Sequence, residues 1–297
     1  MRRTACLLLA ASAVLALRPA PLVAQGPARR FAVAPDASVR IVNLVGSVRV
    51  IGWDRDSLVV TGAPPEGGGT LLAGGGRAAV KVVVDAGPLP AVGTALEIHA
   101  PRMARLWIKS ATAPIAVEGM RGEIDVATVS GQISIRGAPS LLTAESMDGD
   151  LLIEAPARVT RLKTAGGAIV VTGAAGDVTA TSVSGPIRLR GSVITGRLES
   201  VSGEIVCNAG VAAGGRLDLQ THEAPITLLL PPGAGVTVEA STYGGRTESM
   251  IPGAAGKPTR AKAVQYVIGS GRAWAVLRSL KGDLTLRQAL PRPNPSP

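Results

Sequence analysis

Aromatic residues are scarce in this chain of 297 residues: three Trp, two Tyr and one Phe. So few rings argue against the stacking platforms on which single-stranded nucleic acids bind, and against sugar stacking. Histidine occurs twice, at His99 and His222. Neither has partners at the spacing of a metal site or a catalytic triad. Cysteine also occurs twice, and Cys6 lies in an N-terminal apolar run. A chain processed behind that run keeps Cys207 alone, which excludes an internal disulfide and leaves stability to a large core. No segment is apolar over the roughly 20 residues that a membrane-spanning helix needs. The Gly-rich stretch 64–77 lacks the Gly-Lys-Ser/Thr ending of a phosphate-binding loop and reads as a surface loop.

The first residues read as a targeting segment. Arg2 and Arg3 precede the apolar run 5–17, and Ala24 offers a cleavage point. The expected division is 1–24 signal peptide, 25–38 leader, 39–290 folded domain and 291–297 disordered tail. The product is expected to be exported, whether periplasmic, cell-surface or secreted. Basic residues number 31 against 21 acidic, a net charge of +10. The signal carries three arginines and no acid, so the excess beyond it is +7. A basic exterior suits anionic partners such as envelope polysaccharide or lipid phosphate.

What the chain does contain is a repeat of 18 residues. A small residue stands at Ala113, Gly131, Gly149, Gly167, Gly185 and Gly203. Two positions later comes a large aliphatic: Ile115, Ile133, Leu151, Ile169, Ile187 and Ile205. Two further on is another apolar residue: Val117, Ile135, Ile153, Val171, Leu189 and Cys207. Three positions before each small residue is a hydroxyl: Ser110, Thr128, Ser146, Thr164, Ser182 and Ser200. Fixed self-similarity of this kind is the mark of stacked units that cannot bury their apolar faces alone. Period-two alternation and the density of Val, Ile and Thr point to strands rather than helices. A second small column, from Gly119 and Gly137 to Gly191 and Ala209, marks another corner. The pattern predicts an all-β chain: one elongated β-solenoid, parallel β-helix-like, with 18-residue turns and two short strands per turn. Regular turns are expected over 106–210, an irregular excursion over 246–263, and caps over 25–60 and 262–290.

Few residues suggest chemistry. The hydroxyl column is expected to point inward and bond backbone at the corner. Cys207 falls in a core column and reads as a buried small hydrophobe. Asp148 and Asp150 flank Gly149 as in a turn, without the repeat of a calcium-binding solenoid. Asp125, Glu145, Glu199 and Asp218 fall on the outward phase, with no close pair expected on adjacent turns. Arg136, Arg188, Arg190 and Lys163 fall on outward or corner positions and could form a basic stripe. No catalytic, cofactor-binding or metal-binding residue is assigned.

The repeated units Thr128-Val-Ser-Gly-Gln-Ile-Ser-Ile135, Ser182-Val-Ser-Gly-Pro-Ile-Arg-Leu189 and Ser200-Val-Ser-Gly-Glu-Ile-Val-Cys207 carry a resemblance. Ser241-Thr-Tyr-Gly-Gly245 and Ser279-Leu-Lys-Gly-Asp-Leu-Thr-Leu286 extend it towards the end of the chain. With these motifs the chain resembles the bacterial "putative adhesin" β-solenoid family of exported domains of unknown function, over roughly 40–288. The resemblance implies a role at the cell envelope and no catalytic residues. The expected function is a non-enzymatic surface or envelope binding module. Its expected partner is an anionic envelope polymer or a protein, with no nucleic acid, no cofactor and no membrane span. Two alternatives are an envelope-stress sensing or scaffolding domain with a protein partner, and a parallel β-helix enzyme acting on acidic polysaccharide.

Overall fold

The computed structural model describes residues 27–64, 69–85, 93–259 and 263–290, so the predicted signal peptide and C-terminal tail lie outside it. Every regular element among the described residues is a strand. The first group is β1 (Arg29–Ala32), β2 (Ser38–Asn43), β3 (Gly46–Trp53), β4 (Ser57–Thr61), β5 (Thr70–Gly75), β6 (Ala79–Asp85) and β7 (Thr94–Pro101). The central group is β8 (Arg105–Lys109), β9 (Ile115–Met120), β10 (Glu123–Thr128), β11 (Ile133–Gly137), β12 (Leu141–Ser146), β13 (Leu151–Glu154), β14 (Val159–Lys163), β15 (Ile169–Ala174) and β16 (Asp177–Ser182). Two long strands follow, β17 (Ile187–Ser200) and β18 (Ile205–Thr221). The last are β19 (Ile226–Leu230), β20 (Val236–Thr242), β21 (Thr247–Ser249), β22 (Lys257–Pro258), β23 (Val264–Ile268), β24 (Ala273–Ser279) and β25 (Leu284–Gln288).

The all-β expectation holds, but the expected fold class does not. All 25 strands belong to one hydrogen-bonded sheet, which wraps in a nearly closed, barrel-like way round a single core. The sheet is mixed. β1 and β4, β4 and β7, and β5 and β6 pair antiparallel near one end; β20 and β23, and β22 and β23, do so near the other. β17 and β18 each run through a corner that divides earlier strands, so two short strands per turn is not the rule either. A parallel β-solenoid of uniform turns is therefore overturned as the description of this chain. The Gly-rich segment read as a loop holds β5, which pairs with β6. The predicted leader holds β1.

The sequence step survives as register. Ile115, Ile133, Leu151, Ile169, Ile187 and Ile205 stand side by side in parallel pairs, and the file continues to Ile226 and Leu284. All eight are at most 1% exposed. Adjacent strands lie about 4.8 Å apart, and burying each such aliphatic contributes about 1.5–3 kcal/mol. Facing them is a file from Ile108 through Val126, Ala144, Leu162, Ala180, Leu198, Leu219 and Leu277. Both files are buried and belong to the one core, which keeps the interior filled.

The corner between the walls explains the glycine and hydroxyl columns. A Cβ on Gly149 would lie 2.1 Å from the Gly131 carbonyl oxygen, and one on Gly167 would lie 2.2 Å from that of Gly149. Each backbone stacks too closely on the last for any side chain. The Gly149 N–H donates to Ser146 Oγ at 2.8 Å, and that hydroxyl donates to the Val129 carbonyl at 3.3 Å. Thr128 and Thr164 repeat both bonds with their own neighbours. The column points inward, as predicted. Ser or Thr fits because the corner requires one acceptor and one donor on a short arm.

Candidate binding groove

A groove opens on the outer surface where β15, β17, β18 and β19 run side by side. Outward residues here share files: Thr172, Arg190, Asn208 and Leu229 in one; Val170, Arg188, Val206 and Thr227 in the next. Beyond Leu229 the chain turns at Pro231 and Pro232, and Arg287 on β25 flanks Leu229 from the far side. The Ala289 N–H donates to the Leu230 carbonyl at 2.8 Å, which brings Leu290 to the rim. The larger part of the groove has a volume of about 650 Å³ and is lined by Arg190, Asn208, Leu229, Pro231 and Leu290 among others. A smaller part of about 350 Å³ shares Arg190, Asn208 and Leu229 and continues along Val170, Arg188 and Val206.

Glycines make room for it. A Cβ on Gly210 would come within 3.7 Å of Pro231 Cγ, where none now stands. Gly191 takes φ +156° at a register shift between β15 and β17. Thr172 pairs with Arg190 and Ala174 with Gly191, so the extra residue of the bulge is Gly173 on β15.

The two arginines differ electrostatically. Arg188 lies 3.7 Å from Glu204. Arg190 has no carboxylate partner among the described residues. Elsewhere the outer faces are laced with pairs, such as Arg197–Glu199 and Arg216–Asp218. The groove thus combines one uncommitted guanidinium, one weakly committed neighbour and a run of apolar side chains.

The predicted basic stripe does not form. Arg136 shares a file with Arg190, but Glu154 stands next to it and accepts two hydrogen bonds, at 2.9 and 3.4 Å. This bond, then its charge, holds the Glu154 carboxyl below its ordinary value and raises the Arg136 guanidinium. Lys163 is on β14, on the other wall, between Glu145 and Thr181. Of the four residues, only Arg188 and Arg190 share a site.

Other sequence candidates take structural roles. Cys207 is fully buried in its file, and burial pushes its thiol up to about 12. His99 bonds Glu97 at 3.0 Å and packs against Trp53 at 5.1 Å. His222 takes the outward place of Val201, and its N–H donates to the Val201 carbonyl. Asp150 caps the next strand, accepting the Ala168 N–H at 2.8 Å. Asp125 stands opposite Thr143 on the adjacent strand, and Glu145 lies two residues further along that strand. Burial first, and Glu145 second, raise the Asp125 carboxyl above the ordinary value, with Lys109 opposing. Among the described residues, no group of three or more His, Cys, Asp or Glu could hold a metal ion. No helix among them is long and apolar enough to cross a membrane.

Sequence reading missed the groove and a second feature. The residue after each corner hydroxyl projects outward, and Val129, Met147, Val183, Val201, Leu44 and Leu280 are each 41–58% exposed. Their backbones join along the corner through Ala111, Ala165 and His222, so the exposed apolar side chains form short stretches, Val129–Met147 and Val183–Val201 among them, separated by small or polar residues. The residues were visible at 18-residue spacing, but alternation alone does not tell a projecting corner from a covered one.

No protein-family model matches the chain, and no curated protein does. Among solved structures it is similar to a "putative cell adhesion protein" from Clostridium sporogenes, at 11% identity and a TM-score of 0.22, covering 89% of this chain and 99% of that one. It is also similar to a "putative lipid binding protein" from Parabacteroides distasonis, at 9% identity and a TM-score of 0.33, and to a "putative adhesin" from Bacteroides fragilis, at 10% and 0.31. Each of the latter two covers 89% of this chain and 96% of the other.

Proposed function

We propose that this chain is an exported, non-enzymatic binding module of the cell envelope, adhesin-like in kind, whose outer sheet surface holds an anionic partner. The observation that carries the reading is the open groove with Arg190 uncommitted and Arg188 beside it. An unpaired guanidinium offers a planar fork of donors matched to carboxylate or phosphate. The residual +7 charge beyond the predicted signal would draw an anionic polymer or surface towards it. The N-terminal apolar run and its arginines support export, and the repeated Ser-Gly-x-Ile units support the adhesin resemblance.

The test is binding of the chain from residue 25 to isolated cell envelopes across a salt series. Saturable binding that weakens steeply with salt is expected, because exposed charges are screened within about 10 Å at 0.1 M ionic strength. Reversing both charges, Arg188→Glu with Arg190→Glu, is expected to abolish it. Binding indifferent to salt and to both substitutions would defeat the reading.

A protein partner is the second reading, favoured by the exposed apolar side chains at the corner, Val129 with Met147 and Val183 with Val201. Exposed apolar patches rimmed by polar side chains mark protein contacts on many surfaces. Met147→Asp with Val183→Asp would remove a partner crosslinked in intact cells while leaving charge-dependent envelope binding in place.

A further inference from the structure

Of the two guanidiniums that line the groove, only Arg190 lacks a carboxylate partner among the described residues; Arg287, beside Leu229, lies outside the lining, and most of the lining beyond Arg190 is apolar. On one side of Arg190 lie Leu229, Pro231, Pro232 and Leu290; on the other lie Val170 and Val206. Leu229 and Val206 are half-buried on the outer face, and Leu290 is almost fully exposed. Asn208, next to Arg190 in register, adds a side-chain amide that can donate to the same anion. The main part of the groove falls within the roughly 300–1,000 Å³ typical of small-molecule sites.

We propose that the groove is a site for a long-chain carboxylate amphiphile, a fatty acid in chemical class. Its carboxylate pairs with the Arg190 guanidinium and takes a hydrogen bond from Asn208. Its hydrocarbon chain lies along Leu229 and the Pro231–Pro232 corner towards Leu290. Three features decide between this ligand and others. Arg190, the unpaired cation of the lining, matches one anionic head. An extended apolar run matches an unbranched tail. The absence of an aromatic ring from the lining leaves nothing for a sugar or a base to stack on. The inference rests on the reading of the chain as a binding module and names what one part of its surface holds.

The experiment is calorimetric titration of the chain from residue 25 with oleate and with oleyl alcohol, below their aggregation concentrations. A charge-assisted hydrogen bond favours the ionised head, so oleate is expected to bind at least about tenfold more tightly than the alcohol. Arg190→Gln is expected to erase that preference. Leu229→Ser is expected to weaken both ligands. Oleate that fails to bind, or that binds Arg190→Gln as well as the unaltered chain, overturns the proposal. The envelope assay separates the two readings. Salt-sensitive envelope binding without oleate binding removes the fatty-acid site alone. Oleate binding without envelope binding removes the envelope reading and leaves the site.

Discussion

The corner glycines make a quantitative claim about packing that Gly149→Ala tests. The added methyl would meet the Gly131 carbonyl oxygen at 2.1 Å, its carbon at 2.7 Å and Ser146 Oγ at 2.9 Å. Two of these are backbone atoms of the corner on the preceding rung, so no rotamer change relieves them. Overpacking in a filled interior costs about 1–3 kcal/mol, and more where backbone must move. Displacing Ser146 also endangers the 2.8 Å bond from the Gly149 N–H, worth about 1 kcal/mol. Together these come to about 2–4 kcal/mol. At about 2–4 °C per kcal/mol for a chain of this order of length, the melting temperature should fall by about 4–16 °C. Gly173→Ala is the internal control. Gly173 has φ +73°, but a Cβ there meets nothing within 4 Å. It carries only the conformational cost of about 1–2 kcal/mol for a left-handed alanine. Thermal melts and urea midpoints followed by circular dichroism would rank the two. If Gly173→Ala proves as damaging as Gly149→Ala, backbone stacking is not what requires glycine at the corner.

Two further outcomes follow from neighbouring groups. Ser146→Ala removes a hydroxyl that both accepts and donates, and should cost about 1–2 kcal/mol. Ser182→Ala removes one with no hydrogen-bond partner and should cost measurably less; equal losses in urea midpoint would refute the bonding role of the column. The Cys207 thiol, raised from an ordinary 9 to about 12 by burial, should resist alkylation until the chain unfolds. Because the folded value lies above the unfolded one, its stabilising contribution is complete below pH 9 and is lost as pH rises towards 12. Cys207→Ala should flatten the fall of stability over that window, and an unchanged slope would contradict the burial argument.

Much of this architecture was legible because it is local and periodic. An inward side chain every second residue, a hydroxyl three before a small residue and a step of 18 are properties of short segments. Physics translates them directly into buried files, corner bonds and register. Cys207, the Ile115–Leu284 file and the inward hydroxyls could be named from the sequence for that reason. The directions of strand pairing could not. Nothing in the residues 29–32 says that they run antiparallel to 57–60, or in 70–75 that they fold back on 80–85, and those pairings help make this one mixed, barrel-like sheet. Side-chain charges carry no record of their neighbours across strands either. Arg136 and Arg190 look alike in sequence, yet Glu154 occupies the rung beside one and Thr172 the rung beside the other. The sequence by itself determined which side chains face inward and how far apart equivalent rungs lie, since alternation and spacing are set along the chain. Only the tertiary structure decided that Glu154 pairs with Arg136, that Lys163 stands apart from the arginines, and that Arg190 is left uncommitted above an apolar groove. Those facts depend on which strands come side by side.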